Sequence, residues 1–409
     1  MSKHYTSREF FRQMPNHLLA RYFGRRGVFL DLDFAAMKEA QPVPLFEAWL
    51  ALPDSHRRIM DADFRDVFSL SCEKGFRAII DEANWHLSTD TTARDALIGH
   101  LSALSNHFER AMVTFLDYPR FWRGALHFHH ADTLCTWYKR LDLPQVTAAV
   151  DRESLDVLAS RISDHFHRTE GRGKHCIVEP FRRGEHDYFF AYPEDYSQQS
   201  VEWEGDQFAR RPHNPAFEII FVYSRRDGSL DLHCRGAYKS VTPLQAIFAD
   251  VILKTPGLGP APRDERVYEL NRLQSPRFEF VYDPADGIRD VRVKKLRLSS
   301  NRVKGKRVTF EADAVSDRLA VYQMLSDVES DLPLRDYNVT QVELAVIVDG
   351  PAGKSPKHVV VRITHPNSCS LKYDELDLKL RKMLCDSGIE PGEPGAAEDH
   401  DEVPEAAGA

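Results

Sequence analysis

Seven of the eighteen histidines in this chain fall between residues 127 and 186, and three of them, His127, His129 and His130, lie almost side by side. On a strand, His127 and His129 would share a face; on a helix, His127 and His130 would. Either arrangement presents two imidazoles to one zinc or manganese ion. Asp132 and His165 are candidate further ligands, and an open coordination position would then activate water for hydrolysis. A metal-dependent hydrolase or nuclease is therefore one reading of this segment. No HExxH, and no HxE paired with PCxxC, accompanies the cluster. Histidine clusters near aromatic residues are more often ordinary packing and polar groups at the surface.

Three other stretches imitate catalytic motifs and fail on a physical requirement. Cys176 and Arg182 have the spacing of a thiolate phosphatase loop, yet the residues between them are Ile177, Val178, Glu179, Pro180 and Phe181. A loop that turns successive N–H groups onto an anion needs permissive backbone, and Glu179 would repel phosphate. Asp31 and Asp33 end an apolar run like the carboxylate pair of a dehalogenase-type phosphotransferase, but Phe34, Ala35 and Ala36 follow, so Asp33 reads as a helix cap. Gly171-Arg172-Gly173-Lys174 has the composition of a phosphate loop without its spacing and reads as a flexible basic turn.

The strongest local charge imbalance runs from Arg289 to Arg307, where nine basic residues face a single acid, Asp290. Arg292, Lys294, Lys295, Arg297, Arg302, Lys304, Lys306 and Arg307 are the candidate contacts to nucleic-acid backbone or to an acidic protein partner. Val291, Val293, Leu296, Leu298, Val308 and Phe310 alternate with them, and Ser299 to Gly305 makes a turn. The pattern predicts a basic β-hairpin. Its alternation slips at Lys294-Lys295, which a β-bulge would absorb. No aromatic residue lies inside the stretch, so phosphate contact is favoured over base stacking.

The elements that carry these residues predict an α+β fold. Residues 1–170 read as an α-helical domain, opened by a Thr6/Glu9 capping box and interrupted at Pro15. Helical stripes follow near 33–40, 45–52, 55–70, 76–86, 93–116 and 153–167. From 171 to 388 the apolar period drops towards two, predicting a mixed, largely antiparallel α+β region with a subdivision near 256–266. Strands are expected near 177–181, 188–192, 217–223, 230–234, 278–282, 291–298, 308–311, 342–348 and 359–363. Helices are expected from Thr242, near Ser316 and over 374–386. A hairpin followed by a helix occurs at 217–254 and again at 342–386, the pattern of two similar units. Residues 389–409 read as a disordered acidic tail.

Composition bounds the rest. The net charge of −8 resides in the eight acids from Asp386 onward, since residues 1–385 hold 54 acids and 54 bases. A general basic footprint is therefore absent. The six cysteines show no CxxC pair, which predicts reduced thiols and a cytoplasmic location, and no apolar run has the length of a membrane span. The expectation is a cytoplasmic, non-enzymatic binding protein without cofactor, an accessory subunit that meets DNA, RNA or protein through the basic hairpin. The hydrolase is the alternative, and a structural protein assembling through its N-terminal helices is the third reading.

Overall fold

The computed structural model describes residues 4–134, 137–204, 207–235, 238–259, 268–328, 330, 332–350, 355–366 and 368–390. The chain divides into two compact units, Met1–Pro262 and Arg263–Ala409. The change of apolar period near residue 171 falls inside the first. The tail expected from residue 389 lies, beyond Glu390, outside the described residues. Among the described residues no helix is long and apolar enough to cross a membrane.

The first unit begins with eight helices. Thr6 accepts from the Glu9 amide and caps α1 (Ser7–Gln13), and Pro15 separates it from α2 (Asn16–Arg26), where Gly27 in the left-handed region ends the pair. Then come α3 (Val43–Leu50), α4 (Asp54–Leu70), α5 (Glu73–His86), α6 (Thr91–Ala103), α7 (His107–Asp117) and α8 (Pro119–Thr133). Phe10, Phe11, Tyr22, Phe23, Trp49 and Phe64 interlock at their centre, with the stacked Phe10 and Phe64 rings 4.6 Å apart.

Two expectations for this region change. The stripe at 93–116 is two helices, because the Asn106 side chain accepts from the Glu109 amide and starts a new one. The stripe at 33–40 forms turns. Asp33 does cap the Ala35 and Ala36 amides, but no helix continues from them.

A five-stranded antiparallel sheet completes the unit, built from β1 (Tyr138–Arg140), β2 (Val178–Arg183), β3 (His186–Ala191), β6 (Ile219–Ser224) and β7 (Ser229–Cys234) in the order β1-β7-β6-β3-β2. α9 (Arg152–Glu170) and α10 (Val241–Val251) cover one face through Leu158, Ile162, Phe166, Leu244 and Phe248. α10 begins at Val241 without a side-chain cap, ahead of the expected start at Thr242. The opposite face, with Tyr188 and Phe190, meets Phe128 and His127 of α8. β3, β6 and β7 are consequently buried at every position. Between β3 and β6 the chain extends a separate two-stranded ribbon, β4 (Gln198–Glu204) paired with β5 (Gln207–His213), which sequence periodicity did not indicate.

The second unit holds another five-stranded antiparallel sheet, ordered β12-β11-β10-β8-β9, from β8 (Ile288–Ser300), β9 (Arg307–Glu311), β10 (Tyr337–Val348), β11 (Lys357–Thr364) and β12 (Ser368–Cys369). α11 (Ala320–Asp327) and α12 (Glu375–Asp386) contribute Val321, Leu325, Leu380, Met383 and Leu384 to its core. Residues 278–282, expected as a strand, are irregular, and α11 starts four residues after Ser316. Both units place a helix after a hairpin, β6-β7-α10 and β10-β11-α12. They differ in how the preceding hairpin joins: its second strand, β3, pairs with β6, whereas its first strand, β8, pairs with β10.

Phe248 stacks on Phe221 at 5.0 Å and meets the edge of Phe189 at 5.2 Å, linking α10 to β6 and β3. Phe248→Ala is expected to cost about 3–5 kcal/mol of stability. Urea denaturation followed by circular dichroism would measure it.

Candidate functional site

The histidine segment is helical and lies on α8, where its side chains diverge. The His127 ring stacks on Phe181 at 4.3 Å, its Nδ1 faces the Arg123 carbonyl at 2.8 Å and its Nε2 lies 3.4 Å from Glu179. His130 takes a different carboxylate, Glu218, at 2.7 Å, and that hydrogen bond holds its pKa above the usual value. His129 turns inward. Burial, helped by the positive charges of Lys74, His130 and Arg183, lowers its pKa, and its Nδ1 has no hydrogen-bond partner among the described residues. His165, on α9, faces the Ser240 hydroxyl at 3.0 Å. Asp132 is bound to Arg183. The five expected ligands are thus not brought together, and no group of three His, Cys, Asp or Glu able to hold a metal forms among the described residues. Helical spacing does align residues 127 and 130, but each imidazole follows its own acidic partner on the sheet side.

The other motif-like stretches are structural. Cys176 precedes an extended strand, and burial pushes its thiol up to about 12, the reverse of what a thiolate nucleophile needs. Arg172, expected on a flexible turn, is held between Glu170 and Asp195 at 2.7 Å and lies over the Phe217 ring at 3.9 Å. Gly173 beside it adopts φ of +83°, and a Cβ there would come within 2.8 Å of Phe166.

Sequence reasoning missed the charged seam beneath α8. Arg183, at the end of β2 and 2% exposed, donates from Nε to Asp81 of α5 at 2.7 Å and from Nη1 to both Asp132 oxygens of α8 at 3.0 Å. Desolvation would lower its pKa, but the neighbouring Tyr188 and the carboxylates of Asp132 and Asp81 outweigh that and hold it above its usual value. Beside the seam, Glu82 is buried 3.2 Å from His86 Nε2 and fills the space in which a Cβ on Gly124 would stand. Burial, then the charge of Asp81, pushes the Glu82 carboxyl up to about 7. The distances in sequence, 51 residues for Arg183 and Asp132 and 102 for Arg183 and Asp81, explain why no local pattern revealed the seam.

On the second unit, β8 and β9 form the expected hairpin. In the pairing with β10, Glu343 opposes Lys295 and the adjacent Leu344 opposes Val293, so Lys294 is the extra residue of a bulge. Val291, Val293, Leu296 and Leu298 are all buried as a result.

The charges divide along the hairpin's length. Arg292 pairs with Asp290 at 2.6 Å and donates to the Ala314 and Val315 carbonyls. Lys295 reaches Glu311 at 2.8 Å and Glu343 at 3.4 Å, Lys294 lies 3.7 Å from Glu311, and Arg362 on β11 also binds Glu343. Those contacts, foremost the Glu311 hydrogen bond, raise the Lys295 pKa. Arg297 lies mid-sheet, between Gln341 and Thr309 in register. At the far end, residues 301–307 are all exposed. There Arg302 meets Asp336 at 2.9 Å, whereas Lys304, Lys306 and Arg307 make no ion pair among the described residues. Lys306 rests 5.8 Å from the Tyr337 ring.

Two outcomes follow for the seam. Arg183→Met takes the guanidinium away from the buried Asp132 and the partly buried Asp81 and is expected to cost about 3–5 kcal/mol in denaturant titrations. Glu82 has its folded pKa, about 7, above the ordinary 4.5, so the folded state holds the extra proton between those values and stability falls as pH rises through 7. Glu82→Gln is therefore expected to raise the melting temperature at pH 8, by an amount on the order of 2 kcal/mol of stability, and to change it little at pH 4.5. Comparison with family models, curated proteins and solved structures finds no match to this chain.

Proposed function

We propose that the protein is a non-enzymatic binding subunit that contacts the phosphate backbone of nucleic acid through the tip of the β8-β9 hairpin. The observation that carries this reading is the division of charge along the hairpin: cations at its root are matched by Asp290, Glu311 and Glu343, while Lys304 and Lys306 on the turn and Arg307 at the start of β9 stand exposed without acid partners among the described residues.

A phosphate backbone suits such a tip better than an acidic protein does. Protein interfaces draw their energy from a desolvated apolar centre ringed by polar groups. Here Val303, 54% exposed, is the sole apolar residue from 301 to 307. Phosphate contacts need no apolar centre. Each lysine or arginine that neutralises a phosphate releases a condensed counterion, and the gain is independent of base sequence. The hairpin therefore acts as a positioning contact, and no sequence preference is expected from it.

Salt titration tests the reading. Binding of the intact protein to labelled duplex should weaken steeply as salt rises. With Lys304→Glu, Lys306→Glu and Arg307→Glu combined, the log–log slope should flatten by about three, roughly one for each lost phosphate contact. Charge reversal at Lys294 and Lys295, already paired with Glu311 and Glu343, should alter the slope much less. An unchanged slope in the tip variant would sink the proposal.

A further inference from the structure

We infer that the β4-β5 ribbon of the first unit is a stacking site for unpaired nucleobases, with Trp203 and Phe208 as the platform and Arg210 as the phosphate contact. The inference rests on the hairpin reading only in its choice of ligand class.

The ribbon is one antiparallel pair with seven residues in each strand, Gln198 opposite His213 and Glu204 opposite Gln207. Alternation puts Gln199, Val201 and Trp203 on one face with their cross-strand partners Pro212, Arg210 and Phe208. Trp203, Phe208 and Val201 are 63%, 55% and 60% exposed, an unusual state for two aromatic rings on a strand pair. The rings meet edge to face, with centroids 5.5 Å apart and planes at 69°, so one ring braces the other. Arg58 of α4 donates to the Trp203 carbonyl at 3.1 Å, which ties the ribbon to the helical part of the same unit and adds a second cation near the platform.

Charge and size together select the occupant. Among the described side chains, the aromatic face carries one charge, that of Arg210, while Glu202 points to the opposite face with Arg211 at 3.7 Å. An anionic ligand matches the aromatic face. Seven residues of a two-stranded ribbon present a face of about 24 by 10 Å, roughly 240 Å². A stable protein partner needs about 800 Å² from each side, so the ribbon falls well short of a protein interface. A nucleobase needs only one exposed ring to stack on and one cation within reach of its phosphate. Stacking is worth about 1–3 kcal/mol per base whatever the base, which converts to roughly 5- to 150-fold in affinity. Duplex DNA keeps its bases paired and stacked internally, so the site should discriminate single from double strands, which a purely electrostatic contact does not do.

Tryptophan fluorescence and binding to oligo(dT) test the site in the full-length chain. Oligo(dT) is expected to quench the emission of the intact protein. Trp203→Ala with Phe208→Ala should weaken oligo(dT) binding about tenfold or more and leave duplex binding within twofold, with an unchanged circular dichroism spectrum. Trp203→Phe should lose the quenching but keep affinity within about threefold, because an aromatic face remains. Quenching that persists in the Lys304→Glu, Lys306→Glu, Arg307→Glu variant supports the ribbon site whatever becomes of the hairpin. Absence of quenching in the intact protein, or an equal loss on single strands and duplex in the double alanine variant, overturns the ribbon site even where the hairpin binds.

Discussion

One buried guanidinium holds the first unit together. Arg183 belongs to the sheet, Asp81 to α5 and Asp132 to α8, and all three groups are largely out of water. A carboxylate in that position is costly to dehydrate without a cation, and the cation is equally costly without the carboxylates. The helices can therefore close on the sheet only in the arrangement that lets Arg183 meet both. Apolar packing by Phe128, Tyr188 and Phe190 would tolerate some sliding along the interface; the forked geometry of one guanidinium between two acids tolerates little. Through α8, the same constraint sets where His127, His129 and His130 point, and hence which carboxylates they meet.

What could be read from the sequence follows the range of the interaction. The alternation of Val291, Val293, Leu296 and Leu298, with its slip at Lys294, was enough to place a hairpin and its bulge, because burial of one sheet face leaves its record within ten residues. Caps were legible for the same reason, as at Thr6. They misled where a local signal was not continued, as after Asp33, and where a second cap interrupted a long stripe, as at Asn106. The β4-β5 ribbon escaped because it has no buried face. Its residues serve no core, so Val201, Trp203 and Phe208 form no contrast between inside and outside that periodicity could detect. The charged seam escaped because its partners are 51 and 102 residues apart. The charge run at 289–307 was visible as composition, while the fact that Glu311 and Glu343 neutralise its root is a property of strand pairing.

The two units handle charge in opposite ways. In the first, ionised groups are enclosed and their mutual pairing specifies how layers dock. In the second, one sheet face is left open, and Glu343, 4% exposed, is covered by the lysine and arginine side chains that pair with it. Long cationic side chains thereby shield the sheet with their aliphatic stems while their heads remain wet. Such a face is full of charge and yet nearly neutral. Net charge over the body of the chain is a poor guide to where a polyanion could settle, since compensation is decided pair by pair.

The bulge at Lys294 bears on how this strand can vary. On either side of it the inward and outward positions follow opposite parity, and a second slip at Arg289, between Ile288 and Val291, changes the phase again, so β8 is spliced from segments out of phase. Loss of one residue between Val293 and Leu296 would remove the slip at Lys294 and turn the apolar side chains on one side of it to solvent. The strand is thus tolerant in letter and rigid in length: lysine, arginine or threonine can trade places on its open face, whereas a single-codon deletion there would reach the core of the whole unit.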